Sequence, residues 1–77
     1  MVAGPWIIEL PGQEGNRYTC FARCTKTAQR WARQMRGPVQ IRYQGPRDRP
    51  QTAQIAEVDF LVHANGSREV NDPRYHP

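Results

Sequence analysis

The chain has 77 residues, of which 38% are hydrophobic and 23% charged, and its formal net charge is +4. This length suits one small domain, so we expect residues 1–77 to fold together around a core at about 5–70. No apolar run is long enough for a membrane span and no secretory signal pattern is present, which predicts a soluble protein of the cytoplasm, that of a bacterial host if the chain comes from a phage.

The positive charge is concentrated in the middle of the chain. Residues 17–49 carry nine basic side chains and one acid, Asp48, whereas the flanking segments hold the other six acids. Ten of the eleven basic residues are Arg, whose planar guanidinium suits two-pronged contacts to phosphate or carboxylate. The pattern indicates either a surface that attracts an anionic partner or a solvated face without one.

Two strands are predicted first. Trp6 to Leu10 is a short apolar strand, residues 11–16 have the composition of a loop, and residues 17–23 alternate as a second strand. Cys20 in that strand and Cys24 after it are expected as free thiols, because extended backbone would separate their Cα atoms by about 13 Å.

A helix is predicted over 26–36. Four apolar side chains recur at helical spacing and predict a buried stripe: Ala28, Trp31, Ala32 and Met35. Four basic side chains fall on or beside the opposite face: Lys26, Arg30, Arg33 and Arg36. Thr25 is the predicted N-cap, and Gly37 followed by Pro38 predicts the end of the helix.

Three strands are predicted after the helix, at residues 39–44, 54–63 and 68–70. Apolar side chains on one parity of each strand are expected to face the helix. Asn65-Gly66 predicts a hairpin turn between the last two strands, and a strict two-residue turn would pair Val70 with Leu61. Residues 45–52 predict an exposed loop, and residues 71–77 a flexible tail.

The element order β-β-α-β-β-β predicts an α+β two-layer sandwich, with a mostly antiparallel sheet and one helix on one face. A single parallel strand pair remains open. The uncovered sheet face is predicted to mix apolar and basic side chains, and it would serve either as a homodimer or partner interface or as a plain exposed surface. The candidates on this face are Arg17, Phe21, Arg23, Arg42 and Leu61.

Neither a catalytic nor a metal-binding motif is present. The spacing of Cys20, Cys24, His63 and His76 matches no zinc pattern. A thiol and His63 would supply a nucleophile and a base, but so small a strand-rich domain offers little concavity for a substrate. We therefore expect no enzyme activity, no metal and no cofactor.

Glu57 and Asp59 are the one pair of carboxylates that shares a strand face. Such a pair could serve acid–base chemistry. The simpler interpretation is a set of cross-strand ion pairs with Arg42 or Arg23, each contributing less than about 1 kcal/mol.

Several segments, taken in order over about residues 4–72, have the layout of a known protein family. They are Trp6-Ile7-Ile8, the Thr-Lys-Thr-Ala-Gln-Arg run at 25–30, the Ala/Arg-rich helix, Val39-Gln40-Ile41-Arg42 and Asn65-Gly66-Ser67. This layout resembles small phage-encoded inhibitors, in particular an anti-CRISPR family directed at type I-F surveillance complexes. The resemblance implies a non-enzymatic protein that occupies a surface meant for nucleic acid, with contacts from Lys26, Arg30 and Arg33.

We therefore predict a non-enzymatic binding protein of phage or mobile-element type that inhibits or modulates a nucleic-acid-handling complex. The predicted contact residues are Lys26, Arg30, Arg33, Arg36, Arg47 and Arg49. The expected partner is an acidic protein surface or a nucleoprotein complex, and not a membrane. The alternatives are a weakly specific DNA- or RNA-binding accessory protein that uses the same residues, and a dimeric structural protein that uses the open sheet face.

Overall fold

The structure, a computed structural model, describes residues 4–10, 13–48 and 57–75. Within these ranges lie one helix and five strands: β1 (Trp6–Leu10), β2 (Gln13–Tyr18), α1 (Phe21–Met35), β3 (Val39–Tyr43), β4 (Phe60–Val62) and β5 (Arg68–Val70). The strands form one sheet in the order β2-β1-β3-β4-β5, and every neighbouring pair is antiparallel. The predicted α+β architecture is confirmed, and β3 pairs antiparallel with β1 rather than parallel with another strand.

The helix begins more than one turn earlier than the sequence predicted. β2 ends at Tyr18 and α1 starts at Phe21, so the prediction of a strand over 17–23 is wrong in its second half, and part of the predicted loop 11–16 belongs to β2. Phe21, Cys24 and Ala28 recur at spacings of three and four. This helical period prevails over the short alternation because it packs all three side chains against the sheet.

The helix ends just before Gly37-Pro38, as predicted, but its N-cap is not the predicted Thr25. Cys20 is the N-cap and makes no side-chain capping bond, whereas Thr25 lies inside the helix and its hydroxyl donates to a carbonyl one turn back. At the other end Arg36, not Gly37, adopts the left-handed conformation, with φ 57° and ψ 39°. Its backbone N–H donates to the carbonyl of Ala32, which closes the last turn.

The core lies between α1 and the sheet. Its buried side chains come from alternate strand positions and from one stripe of the helix: Ile8, Leu10, Cys24, Ala28, Ala32, Val39, Ile41, Val58, Phe60 and Val62. The strand parity predicted from the alternation is therefore confirmed for β1, β3 and β4. Trp31 packs half-buried against this core, but Met35, predicted in the buried stripe, is the last residue of α1 and is 44% exposed.

The predicted hairpin at Asn65-Gly66 joins β4 to β5, with a turn longer than two residues. Phe60 pairs with Val70, so Val70 lies on the helix-covered face and not opposite Leu61. Gly66 has a φ of 90°, a conformation that glycine adopts without a side-chain clash. The backbone conformation at position 66 therefore favours glycine over other residues.

Two predictions near the C-terminus are changed by the structure. Of the long strand predicted over 54–63, the structure describes residues 57–63, which are a strand at Phe60–Val62, and residues 49–56 lie outside the described part. Of the segment 71–77, predicted as a loose tail, residues 71–75 are described, and Asp72 is buried against the sheet.

Candidate functional site

The solvent-facing side of α1 carries a row of basic side chains, which we call the basic face: Arg23, Lys26, Arg30 and Arg33. All four are exposed, and their spacing of three and four residues keeps them on one side over about 15 Å of helix axis. No acidic residue occurs in α1. Arg23, Lys26 and Arg30 form no ion pair with any carboxylate in the described residues.

Two residues predicted for the open sheet face belong instead to α1. Arg23 joins the basic face, and Phe21 faces inward, with its ring centroid 5.7 Å from those of Trp6 and Phe60. The prediction was wrong because it placed both residues in a strand. The helical spacing of Phe21 from Cys24 was the signal that could have corrected it.

Arg33 also contacts the turn between β4 and β5. Its Nε donates to the carbonyl of Ala64 at 3.2 Å, and Gln29 Nε2 donates to the same carbonyl at 3.1 Å. These two bonds fasten the β4–β5 turn to α1. Arg33 stays exposed, so it contributes charge to the basic face while holding the turn.

Of the three remaining predicted contact residues, one is exposed, one is paired with carboxylates and one lies outside the described residues. Arg36 is exposed at the C-cap of α1, beside the basic face. Arg47 is not on that surface, because its side chain is only 17% exposed and its guanidinium bonds Asp72 at 2.6 Å and Asp59 at 3.2 Å. Arg49 lies outside the described residues.

Arg47 belongs to a set of matched charges, Arg47, Asp59, Asp72 and Arg74, which we call the clasp. Arg74 reaches both carboxylates at 3.3 Å, and Arg47 also donates to the backbone carbonyls of Tyr43 and Glu57. The clasp therefore ties the segment after β5 to the loop after β3. The predicted pairing of Asp59 with Arg42 or Arg23 is wrong, as Arg42 pairs with Glu9 at 3.4 Å.

Asp72 is the centre of the clasp, with a side chain that is 0% exposed. Burial alone would raise its pKa, but the backbone N–H groups of Asp59 and Arg74 and the guanidinium of Arg47 donate to the carboxylate and lower the pKa to about 2. Asp72 was not among the residues predicted from the sequence. Its signal was local: an Asp followed by Pro73 is typical of a side-chain-bonded turn.

The open sheet face is mixed in charge and weakly apolar. Arg17, Arg42 and Leu61 lie there as predicted, on the parity of Ile7. Ile7 and Leu61 are half-buried, and Met35, on the other layer, is the one large apolar side chain that is exposed among the described residues. A cleft of about 750 Å³ on this face is lined by both acids and bases, which include Glu9, Arg42, Asp59, Asp72 and Arg74.

The two cysteines differ in burial, and His63 lies 2.9 Å from a carboxylate oxygen of Glu69. Cys24 is fully buried, and burial raises its pKa to about 12, so it stays a thiol at neutral pH. Cys20 is exposed, and both cysteines are free. Among the described residues, no three His, Cys, Asp or Glu side chains come together in a group that could hold a metal ion.

Comparisons with known proteins give this chain no family. No protein-family model, curated protein or solved structure matches it. In the described part of the chain, no helix combines the length and the apolar character needed to cross a lipid bilayer. What the protein does is therefore inferred from its own surface chemistry.

Proposed function

We propose that the protein is a non-enzymatic binding protein that inhibits or modulates a nucleic-acid-handling complex by occupying an anionic surface through the basic face. The observation that carries this proposal is the exposed row of four cations on a helix without a single acid. Such a row gives a positive field along one side of the molecule. That field speeds encounter with an anionic partner and orients it on arrival.

The distribution of acids argues against a merely solvated face. Elsewhere in the described residues carboxylates lie beside cations, as in the clasp and in the pair of Arg42 with Glu9. A helix selected only for solubility gains from Glu–Lys or Glu–Arg pairs one turn apart, which α1 lacks. Lys26 and Arg30, one turn apart, instead repel each other, a cost that an anionic partner would offset.

An inhibitor of the phage-encoded anti-CRISPR kind is the specific form of this proposal. It rests on the layout resemblance, and the residues that the resemblance implies, Lys26, Arg30 and Arg33, all belong to the basic face. The open sheet face is a weaker candidate for a partner surface. Its Arg42 is already paired, and its two apolar side chains, Ile7 and Leu61, are half-buried.

Two double variants of equal charge test the proposal. Lys26→Gln/Arg30→Gln removes two cations from the basic face, and Arg17→Gln/Arg42→Gln removes two from the open sheet face. Tagged proteins are used to capture complexes from bacterial lysate, and captured nucleic-acid-handling complexes are quantified by mass spectrometry. We expect the first variant to lose at least about tenfold of the captured complex, as two charged contacts are lost, and the second to match the wild type.

Two outcomes would contradict the proposal. If both variants lose the complex to the same extent, net charge alone retains it and the basic face is not a site. If neither variant loses it, the contact lies elsewhere on the molecule. Circular dichroism of both variants checks that the fold is unchanged, which is expected because all four side chains are exposed.

A further inference from the structure

A groove runs between the first turns of α1 and the β4–β5 turn. It has a volume of about 300 Å³, and its lining includes Phe21, Thr25, Lys26, Gln29, Gly66 and Arg68. Lys26 stands on the helix wall and Arg68 on the strand wall. Neither forms an ion pair with a carboxylate in the described residues, so the groove presents two uncompensated cations to whatever enters it.

We propose that this groove binds the phosphodiester backbone of a nucleic acid. A phosphate placed between Lys26 and Arg68 would receive a charged donor from each wall, and the Gln29 amide in the lining has a second N–H besides the one that bonds Ala64. The inference deepens the proposed function, because Lys26 belongs to both surfaces and a strand leaving the groove meets Arg30 next on the basic face.

The position of Arg68 favours nucleic acid over an acidic protein. Its guanidinium carbon lies 5.0 Å from the ring centroid of Phe21, over the ring. That ring is held in place by edge and tilted contacts with Phe60 and Trp6. A guanidinium fixed in this way presents a flat cationic surface on which a base can stack, while its N–H groups bond phosphate. A carboxylate side chain would pair with the charge of Arg68, but it has no ring to stack on the guanidinium.

The walls of the groove are fixed before any ligand arrives. Gln29 and Arg33 both donate to the Ala64 carbonyl, which holds the turn against the helix. Gly66 lies so close to this contact that a Cβ there would be 3.2 Å from Gln29 Nε2, and its φ of 90° disfavours other residues. A ligand therefore meets an ordered site, and less of the binding energy is lost to ordering side chains.

The test measures binding of a fluorescein-labelled 12-nucleotide single-stranded DNA by fluorescence anisotropy, with the salt concentration varied from 50 to 200 mM. Arg68→Gln removes one cation from the groove, and the matched control Arg17→Gln removes one from the open sheet face. We expect Arg68→Gln to weaken binding about five- to tenfold and to lower the log–log salt slope by about 1. The control should change the affinity less than about twofold.

Arg68→Lys separates stacking from charge. It keeps the cation, so the salt slope should stay at the wild-type value while the affinity falls about threefold with the loss of the flat guanidinium. Equal losses in Arg68→Gln and Arg17→Gln would overturn the groove, as would wild-type affinity in Arg68→Gln. Loss in Lys26→Gln/Arg30→Gln alone would also overturn it but leave the proposed function standing.

A competitor identifies the class of partner. Polyglutamate of matched total charge should displace the labelled DNA at least about tenfold less effectively than unlabelled DNA does, because it cannot stack on Arg68. Equal displacement would overturn the choice of nucleic acid and leave an acidic protein as the partner of the basic face. Absence of DNA binding at 50 mM salt would overturn the groove inference, while complex capture from lysate still decides the proposed function.

Discussion

The basic face and the clasp use the same residue type in opposite ways. In the clasp, Arg47 and Arg74 contact two carboxylates, one of them with a side chain that is 0% exposed. On the basic face, Arg23 and Arg30 are exposed and face no carboxylate that the structure describes. The guanidinium groups of the clasp hold the chain together, whereas those of the basic face are available to an outside partner.

An excess of Arg does not by itself indicate a binding surface. Residues 17–49 carry nine basic side chains and one acid. Even so, Arg47 from that segment forms ion pairs with Asp59 and Asp72, which come later in the chain. What separates the two regions is the position of the acids in space. A function assigned to a cation therefore depends on whether the fold brings a carboxylate to it.

We expect the largest loss of stability when the clasp is broken. Arg47→Gln leaves two buried carboxylates, on Asp59 and Asp72, with one partner fewer, and a buried charge without its partner is costly. We expect the free energy of unfolding to fall by about 3 kcal/mol, measured by urea denaturation. Arg30→Gln is the matched control and should stay within about 0.5 kcal/mol of the wild type. Similar values for the two variants would show that the regions do not differ as described.

The clasp also makes the stability of the fold depend on pH. Asp72 has an ordinary pKa of 3.8 that the fold lowers to about 2, so its carboxylate stabilises the folded state above pH 4, and this contribution is lost as the pH falls from about 4 to 2. The shift corresponds to about 2 kcal/mol. Asp72→Asn removes this contribution, and its stability should depend less on pH over the same interval. Parallel wild-type and variant curves would contradict the assignment.

Sequence patterns were a good guide where they were periodic and local. Alternation identified β1 and β3 and the side of each that enters the core, and Asn65-Gly66 marked the hairpin. It failed at residues 19–23, where an alternating pattern and a helical pattern overlap and only packing decides between them. That one error placed Phe21 in a strand and so concealed the contact of Arg68 with its ring.

The clasp could not have been predicted from local patterns. Arg47 and Asp72 are 25 positions apart, and ion pairs at such distances follow from topology rather than from spacing along the chain. The hydrogen bond from the backbone N–H of Asp59 to Asp72 depends on the register of the segment after β5, and only the bond from the N–H of Arg74 is local. The basic face was predicted because its residues repeat on one helix, although Arg23 was assigned to the wrong element.

Arg36 is a third kind of cation, exposed like those of the basic face but held in left-handed backbone at φ 57°. Glycine adopts this conformation without the clash that a Cβ makes. We expect Arg36→Gly to raise the free energy of unfolding by about 0.5–1 kcal/mol in urea denaturation. Arg30→Gly, at an exposed position inside α1, is the control and should lower it by about 1 kcal/mol. Destabilisation by Arg36→Gly would show that its side chain contributes more than its backbone costs.

The smallest expected effect concerns the stability of the basic face itself. Lys26 and Arg30 are one turn apart and both positive, so they repel each other across the helix surface. Lys26→Gln/Arg30→Gln should leave the free energy of unfolding unchanged or raise it by up to about 0.5 kcal/mol, with the gain fading as added salt screens the repulsion. A loss of more than about 1 kcal/mol would mean that these side chains hold the fold together, as Arg47 does. Stability that rises while capture of the complex falls is the combination expected of a surface whose charges are matched only by an external partner.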